Sequence, residues 1–561
     1  MKHKMRKLRR QAQNAWERQE IERERSLGDF TTTYRVIPLS LAAVAIGVVT
    51  AYIAWALLRL IGLFTNLFYF GRWSASFVSP AQNHLGAWAV LVPVGGSLVI
   101  GLMARYGSER IRGHGIPEAI ESILMHGSRV HPKLALLKPI SSAISIGSGG
   151  PFGAEGPIIM TGGAFGSMIA QFFHLTAIER RTLLVAGAAA GMSATFASPV
   201  SAVLLAVELL LFEWKPRSVI PVALASAAAV ATRWSVLGPG PLFSVPPHPS
   251  IMAVHVLLGC FLAGIIAGAL SALLTAAVYL AEDAFQRLPI HWMWWPAIGG
   301  LVVGCGGLIF PRALGVGYDT IGDLLQGHVE IALLLGVLLV KPVIWATALG
   351  SGTSGGVLAP LLMMGAALGG VESHFLPAMG AGFWPVVSLG AILGGTMRSP
   401  FTGMLFAVEL THDTNVLLPL LVACFAAHGF TVLTLRRSIL TEKVARRGFH
   451  LSREYSVDPL ELLRVRDVMQ RDLGDAIRGD GALPGVSTHP EETLRTAVHR
   501  MAENRVTQMT VTNRHDEETV IGLVTLEDLL QARTRHLHEE RSRERVLGVG
   551  AGRRGRRPPW A

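Results

Sequence analysis

The stretch Gly147-Ser-Gly-Gly-Pro-Phe-Gly-Ala-Glu-Gly-Pro157 sets one carboxylate, Glu155, at the head of an apolar run from about Ile158 to Phe173. Glycines let the backbone bend tightly and expose its N–H groups. The run that follows reads as a helix, and a helix start carries unsatisfied N–H groups and partial positive charge. Such a place binds anions. A carboxylate set there can mimic an anion and plug the site, so Glu155 is the candidate gate. Gly113-His-Gly-Ile-Pro-Glu-Ala119 is a second Gly-rich turn, with Pro117 early in a short helix, where a missing N–H costs nothing. It is a second candidate anion cradle. The apolar half offers no nucleophile–base set and no metal-ligand cluster, so no catalytic residue, metal or cofactor is expected there. Cys260, Cys305 and Cys424 are scattered in apolar runs and read as core residues.

These residues must be held by a membrane domain. The chain has 561 residues, of which 16% are charged, against about 25% in an ordinary soluble domain. The deficit lies between roughly residues 36 and 435. Val36–Phe64, Gly86–Met103, Ile251–Leu280 and Glu330–Leu349 are long enough to span a bilayer. Ile158–Ala170 and Val200–Leu211 are too short. Full spans mixed with short apolar helices bounded by Gly and Pro mark a transporter with broken helices, not a soluble enzyme core. The net charge of +11 sits mostly at the ends, in Lys2, Lys4, Arg6, Lys7, Arg9 and Arg10 and in Arg553, Arg554, Arg556 and Arg557. Positive segments flanking spans stay in the cytoplasm. The expectation is a multi-pass cell-membrane protein with both termini cytoplasmic, lipid around it and no nucleic-acid partner. No removable signal peptide is expected, because the basic start leads into an acidic–basic helix.

An internal repeat supports this. Leu136-Leu-Lys-Pro-Ile-Ser-Ser-Ala-Ile-Ser-Ile-Gly-Ser-Gly149 matches Leu339-Val-Lys-Pro-Val-Ile-Trp-Ala-Thr-Ala-Leu-Gly-Ser-Gly352, an offset of 203 from Leu136 to Leu339. The same offset carries Gly153, Pro157, Gly162 and Gly166 onto Gly356, Pro360, Gly365 and Gly369. Ser198-Pro-Val-Ser-Ala-Val-Leu-Leu-Ala-Val-Glu208 matches Ser399-Pro-Phe-Thr-Gly-Met-Leu-Phe-Ala-Val-Glu409. Repeats in transporters place the substrate at their interface, between half-helix ends. Lys138 pairs with Lys341 and Glu208 with Glu409, which points to structural charges that fix helix ends. Glu155 breaks the symmetry, because its counterpart is Leu358. A costly charge kept in one copy alone points to function. Ser148 lies near the gate and is a candidate pore-lining residue, although its match to Ser351 argues for a partly structural role. Tyr318 falls in a loop between spans and receives no role.

Beyond Arg436 the composition turns soluble. Arg436, Arg437, Lys443, Arg446 and Arg447 form a basic exit helix, and residues 464–536 read as a small α/β module. Val486 starts a strand, and Glu491–Glu503 is a helix with Leu494, Ala497, Val498 and Met501 on one face. Gln508–Thr512 and Val520–Val524 alternate like strands, and Thr525-Leu-Glu-Asp528 caps a last helix. The division expected is a basic N-terminal helix (1–30), a membrane domain (31–448, halves about 36–235 and 251–435), a linker (449–463), the module (464–536) and a basic tail (537–561), disordered from about 546.

Residues 36–448 resemble the CLC family of chloride channels and chloride/proton antiporters. Gly113-His-Gly-Ile-Pro117 is similar to the family's G-S-G-I-P, Gly153-Ala-Glu-Gly-Pro157 to G-[KR]-E-G-P, and Gly356-Val-Leu-Ala-Pro360 to G-x-F-x-P. The resemblance implies an all-α polytopic fold of broken, tilted helices in an inverted repeat. It also implies a homodimer with one anion pathway per subunit. Chloride or a similar small anion would be held by backbone around His114, Gly115, Ile116, Gly153, Ala154, Gly156, Val357 and Leu358, and Glu155 would leave the outer site when protonated. Several positions depart from the family. His114 replaces the serine, Leu358 the phenylalanine and Ala154 the basic residue, while the pore tyrosine falls near Leu440, the second candidate pore-lining residue, or on Arg436. The inner glutamate of antiporters falls on Leu209, beside Glu208. Residues 464–536 resemble a CBS domain, through Val465-Arg-Asp-Val-Met469 and Ile521-Gly-Leu-Val-Thr-Leu-Glu-Asp528. In nucleotide-binding relatives, positions matching Thr525 and Asp528 contact ribose; one copy alone argues against a bound adenine nucleotide here.

The expected function is chloride transport gated by Glu155. The missing inner glutamate tips the mechanism toward a passive channel, voltage- or pH-gated. The alternatives are a chloride/proton antiporter, with water carrying protons inward, and a non-transporting membrane sensor regulated through the CBS module.

Overall fold

The computed structural model describes residues 32–446 except 126, 250–252 and 328, together with residues 460, 463–471, 486–513 and 516–541. The expected basic helix at 1–30, most of the linker and the tail beyond 541 lie outside the described residues.

The apolar half folds into helices broken at Gly and Pro. They run α1 (Val36–Phe70), α2 (Leu91–Tyr106), α3 (Ile116–Met125), α4 (Pro132–Gly147), α5 (Glu155–Gln171), α6 (Ala177–Phe196), α7 (Pro199–Leu205) and α8 (Pro216–Val236). The second series is α9 (Val254–Gln286), α10 (Trp295–Ile309), α11 (Tyr318–Gln326), α12 (Ile331–Gly350), α13 (Leu358–Glu372), α14 (Phe383–Met397), α15 (Pro400–Thr411) and α16 (Leu417–Thr434), followed by α17 (Ile439–Arg446). Each helix of the first series has its counterpart in the second, in order. Among the described residues seven helical segments are long and apolar enough to cross a membrane, while α13, α14 and the α7 segment are shorter. The apolar run 200–211 is not one helix: α7 passes into a π-helical turn at Ala206–Leu211.

The two copies form an inverted repeat, and their contacts are reciprocal. Glu208 accepts from the Thr402 N–H at 3.2 Å and its hydroxyl at 2.5 Å, at the start of α15. Glu409 accepts from the N–H groups of Val200 and Ser201 at 2.9 and 2.8 Å and from the Ser201 hydroxyl, at the start of α7. Each repeat's glutamate therefore caps a helix of the other, where carboxylate suits the positive helix end. Buried Lys138 donates to the carbonyls of Ile111 and Gly113, at 2.8 and 2.7 Å, and buried Lys341 donates to those of Ala313 and Gly315, at 2.8 and 3.0 Å. These four charges are structural, as their pairing suggests. Close approach relies on small residues. A Cβ at Gly162 would meet the Gly187 carbonyl, and one at Gly187 the Gly162 carbonyl, so α5 and α6 touch backbone to backbone.

The C-terminal module has its own core of Val465, Leu494, Ala497, Met501, Met509, Val511, Val524 and Leu529. Among the described residues its strands lie in the order β1 (Ser487–Thr488), β2 (Gln508–Asn513), β3 (Asp516–Thr525). β1 pairs parallel with β2, and β2 antiparallel with β3 in a register that sets Met509 opposite Val524. The first helix starts at Leu494 rather than Glu491, because the Thr493 side chain accepts from the Thr496 N–H and ends the preceding turn. The last helix, Leu526–Arg541, packs against α6.

Candidate anion site

Four short-loop helix starts meet inside the membrane domain, those of α3, α5, α11 and α13. Both Gly-x-Gly loops need left-handed backbone: Gly113 and Gly115 have φ of 93° and 91°, and Gly315 and Gly317 have 65° and 75°. Glycine alone adopts this freely. The first loop is tied to the second repeat, with the Gly113 N–H donating to the Thr353 carbonyl at 3.0 Å. The other loop is tied to the first, with Gly315 N–H donating to Gly149 at 3.1 Å. Between them Gly153 and Gly356 exchange two backbone hydrogen bonds, at 3.1 and 2.9 Å. The three motifs found in the sequence thus converge, although Gly113 and Gly356 lie far apart along the chain.

Glu155 is fully buried at the first position of α5. Neither α5 nor α13 has a side-chain cap at its start. The backbone amides of Glu155 and Ala359, one from each helix start, face the carboxylate. Its Oε2 nevertheless closes no hydrogen bond, and a Cβ on Gly356 would come within 2.8 Å of it. The Tyr318 hydroxyl approaches the Oε1 atom at 3.4 Å. A carboxylate between two open helix ends, with no ion pair, occupies the place an anion would take. A Cβ on Gly156 would strike the His114 carbonyl, so the α3 loop and α5 touch directly.

The remaining expected positions divide. Ile116, Ala154, Gly156, Val357 and Leu358 are buried at the loops around Glu155. Gly115 and Gly153 are also there, but their N–H groups are spent: Gly115 donates to Glu118 Oε2 at 2.8 Å and Gly153 to Gly356. The His114 ring is buried with no partner on Nδ1, and it borders a cavity of about 540 Å³. Arg112, Tyr279, Glu282, Trp292 and Lys443 also line this cavity, which reaches the α3 loop from the side of the basic exit helix. Ser148 is buried at the end of α4. Its hydroxyl donates to the Ser145 carbonyl at 3.0 Å, and its side chain abuts Gly96 of α2, as Ser351 abuts Gly299 of α10. Leu440 is buried in α17, which packs on α3, and Tyr279 donates to the neighbouring Ile439 carbonyl at 2.5 Å. In the C-terminal module Asp528 accepts from the Thr525 N–H and hydroxyl at 2.9 and 2.7 Å and from Gln470 at 3.0 Å, so both expected ribose contacts serve as a helix cap.

Two features escaped the sequence. Glu118 caps the anion loop and is held by Lys443 at 2.9 Å, a pair joining residues far apart in the chain. Tyr318 is not in a loop but opens α11, facing Glu155. Extending the repeat would have flagged it, since Gly315-Val-Gly-Tyr318 stands where Gly113-His-Gly-Ile116 stands in the first copy.

A family model described as voltage gated chloride channel matches residues 95–431, and a CBS domain model matches residues 465–535. A ClcB-like chloride channel protein of Ralstonia nicotianae is 29% identical over 370 residues, covering 64% of this chain and 86% of that protein. The H(+)/Cl(-) exchange transporter ClcA of Yersinia pestis is 31% identical over 351 residues, covering 58% of this chain and 70% of the relative. Among solved structures, a slow cyanobacterial Cl-/H+ antiporter aligns with a TM-score of 0.64 at 21% identity over 73% of this chain and 97% of its own. A eukaryotic CLC transporter aligns with 0.63 at 17% identity over 88% and 98%. With the motifs, the repeat and the converging helix starts, this match places the chain in the voltage gated chloride channel family, with a CBS domain at its C-terminal end.

Proposed function

We propose that this chain exchanges chloride for protons across the cell membrane, with Glu155 both competing with chloride and carrying the proton. The observation that carries this is the buried Glu155 carboxylate lying without an ion pair, its Oε2 without a hydrogen bond, between the uncapped starts of α5 and α13. Chloride would be held by backbone at Ile116, Ala154, Gly156, Val357 and Leu358, with His114 Nδ1 as donor from the cavity side. The channel mechanism that the sequence favours rests on Leu209, a fully buried leucine where antiporters carry an inner glutamate. The names of the relatives favour exchange instead. Water in the cavity that ends at His114 supplies the inward proton route. The working unit would be a homodimer in lipid, with both termini cytoplasmic.

A proteoliposome assay tests this. An imposed proton gradient should drive chloride uphill, and Glu155→Ala should leave chloride flow that no longer responds to external pH. Chloride flux without uphill movement would establish the channel instead. Zero flux from folded dimer would leave the sensor.

A further inference from the structure

We propose that Tyr318 is the latch of the gate, its phenol holding the Glu155 carboxylate in the seated position from the second repeat. This rests on Glu155 being the gate. Tyr318 takes the place in the second repeat that Ile116 takes in the first, so the repeat supplies one phenol where the other copy has a hydrocarbon. Its loop is fixed: Gly317 takes the left-handed turn that α11 starts from, and Lys341 clamps the carbonyls of Ala313 and Gly315. The ring is held by three phenylalanines from three separate stretches of the chain. Phe77 stacks on it at 5.9 Å, and Phe196 and Phe243 meet it edge-on at 6.4 and 6.1 Å. Phe196 is braced in turn by Phe406 at 5.0 Å. A ring so boxed keeps its hydroxyl aimed in one direction, and that direction is Glu155 Oε1 at 3.4 Å. It is the one side-chain donor to the gate carboxylate among the described residues.

At 3.4 Å the bond is long for a hydroxyl donor, which suits a latch that must release. The other charged groups around the pair are Lys341 on α12, Arg233 on α8 and Asp319 on α11. Lys341 is committed to two carbonyls, Arg233 donates to the Gly238 carbonyl at 2.7 Å, and Asp319 is exposed. None of them makes a direct ion pair with Glu155 in the seated state.

A hydrogen bond to the charged carboxylate favours its ionised form, so losing the phenol should make protonation, and release, easier. Tyr318→Phe keeps the ring and its cage. In reconstituted full-length protein the pH of half-maximal chloride flux should move upward by about one unit, the tenfold change that a modest hydrogen bond to a charged group corresponds to. Adding Tyr318→Phe to Glu155→Ala should change nothing further. An unshifted midpoint in folded Tyr318→Phe protein, or an equal flux change in the Glu155→Ala background, would overturn the latch. If Glu155→Ala itself keeps its pH dependence, the gate assignment falls instead, and the two failures are told apart. Infrared titration of the Glu155 carboxyl band gives the same answer without flux: an upward shift of its midpoint in Tyr318→Phe supports the latch, and an identical midpoint rejects it.

Discussion

Glu155 and His114 are buried polar side chains with an unsatisfied atom at the meeting point of the repeats, and buried groups of this kind demand a partner. In the function proposed above, that partner for His114 would be the transported anion. The ring's Nδ1 is open while the surrounding cations are occupied, Lys138 by two carbonyls and Lys443 by Glu118. His114→Ser should therefore bind chloride through a hydroxyl at nearly the same affinity, and its flux should follow the wild-type profile between pH 5 and 8. A lost or flattened pH response in that variant would show instead that the imidazole titrates during transport. Glu118 has a different task. Removing its carboxylate with Glu118→Ala frees the buried Gly115 N–H and leaves the half-buried Lys443 without its partner, so detergent-solubilised protein should lose about 1–3 kcal/mol of thermal stability. Calorimetry on the purified variant checks this.

Among the elements, the contact between the α3 loop and α5 depends on a missing side chain. Gly156→Ala would push a methyl group into the His114 carbonyl. Overpacking of this kind costs about 1–3 kcal/mol and shifts backbone. Here the shift would separate two of the helix starts that surround the gate, so chloride flux should fall at least tenfold while the protein still assembles. The reciprocal caps are expected to act on stability and not on proton transfer. Glu208→Gln and Glu409→Gln should each destabilise by about 1–3 kcal/mol, through a poorer acceptor facing helix N–H groups. Both should leave the pH dependence of flux unchanged, which a side-by-side liposome assay would reveal. A changed coupling in Glu208→Gln would make it the inner proton group after all.

The whole molecule joins a membrane repeat to a CBS module whose final helix packs on α6. In that module Glu492 is partly buried, which raises its carboxyl, but hydrogen bonds from Arg500 at 2.9 Å and from Thr488 at 2.6 Å outweigh this and hold it below its ordinary value. A depressed carboxylate contributes stability that is present above its unfolded value and is lost as pH falls through the lower folded one. Hydrogen exchange on the full chain should show protection of strands β1–β2 fading as the pH drops below about 4.5, and less steeply in Glu492→Gln. Thr525 and Asp528 are committed to each other at the helix start, so titration of the full chain with ATP or AMP should give no heat. Measurable binding would mean that the cap opens to admit ribose.

Much of this molecule is decided locally. Charge depletion, spanning runs and Gly/Pro breaks follow from what a bilayer tolerates, and the repeat is written in residue identities alone. Glu155 stands out because its counterpart is a leucine. The strands of the C-terminal module are legible from alternation, although β3 starts at Asp516 rather than Val520, and the helix after β1 starts three residues later than its pattern suggests, where Thr493 caps it. Which helix start faces which is decided only by contacts between residues about two hundred positions apart. The pairing of Gly153 with Gly356 uses up one N–H that the sequence assigns to an anion, and Glu118 uses up another at Gly115. Ser148 points at Gly96 because α4 ends against α2, and Tyr318 meets Glu155 because an inverted copy brings α11 to the gate. Glycine, charge and hydropathy act on the chain residue by residue; the direction of a side chain depends on what the fold packs around it.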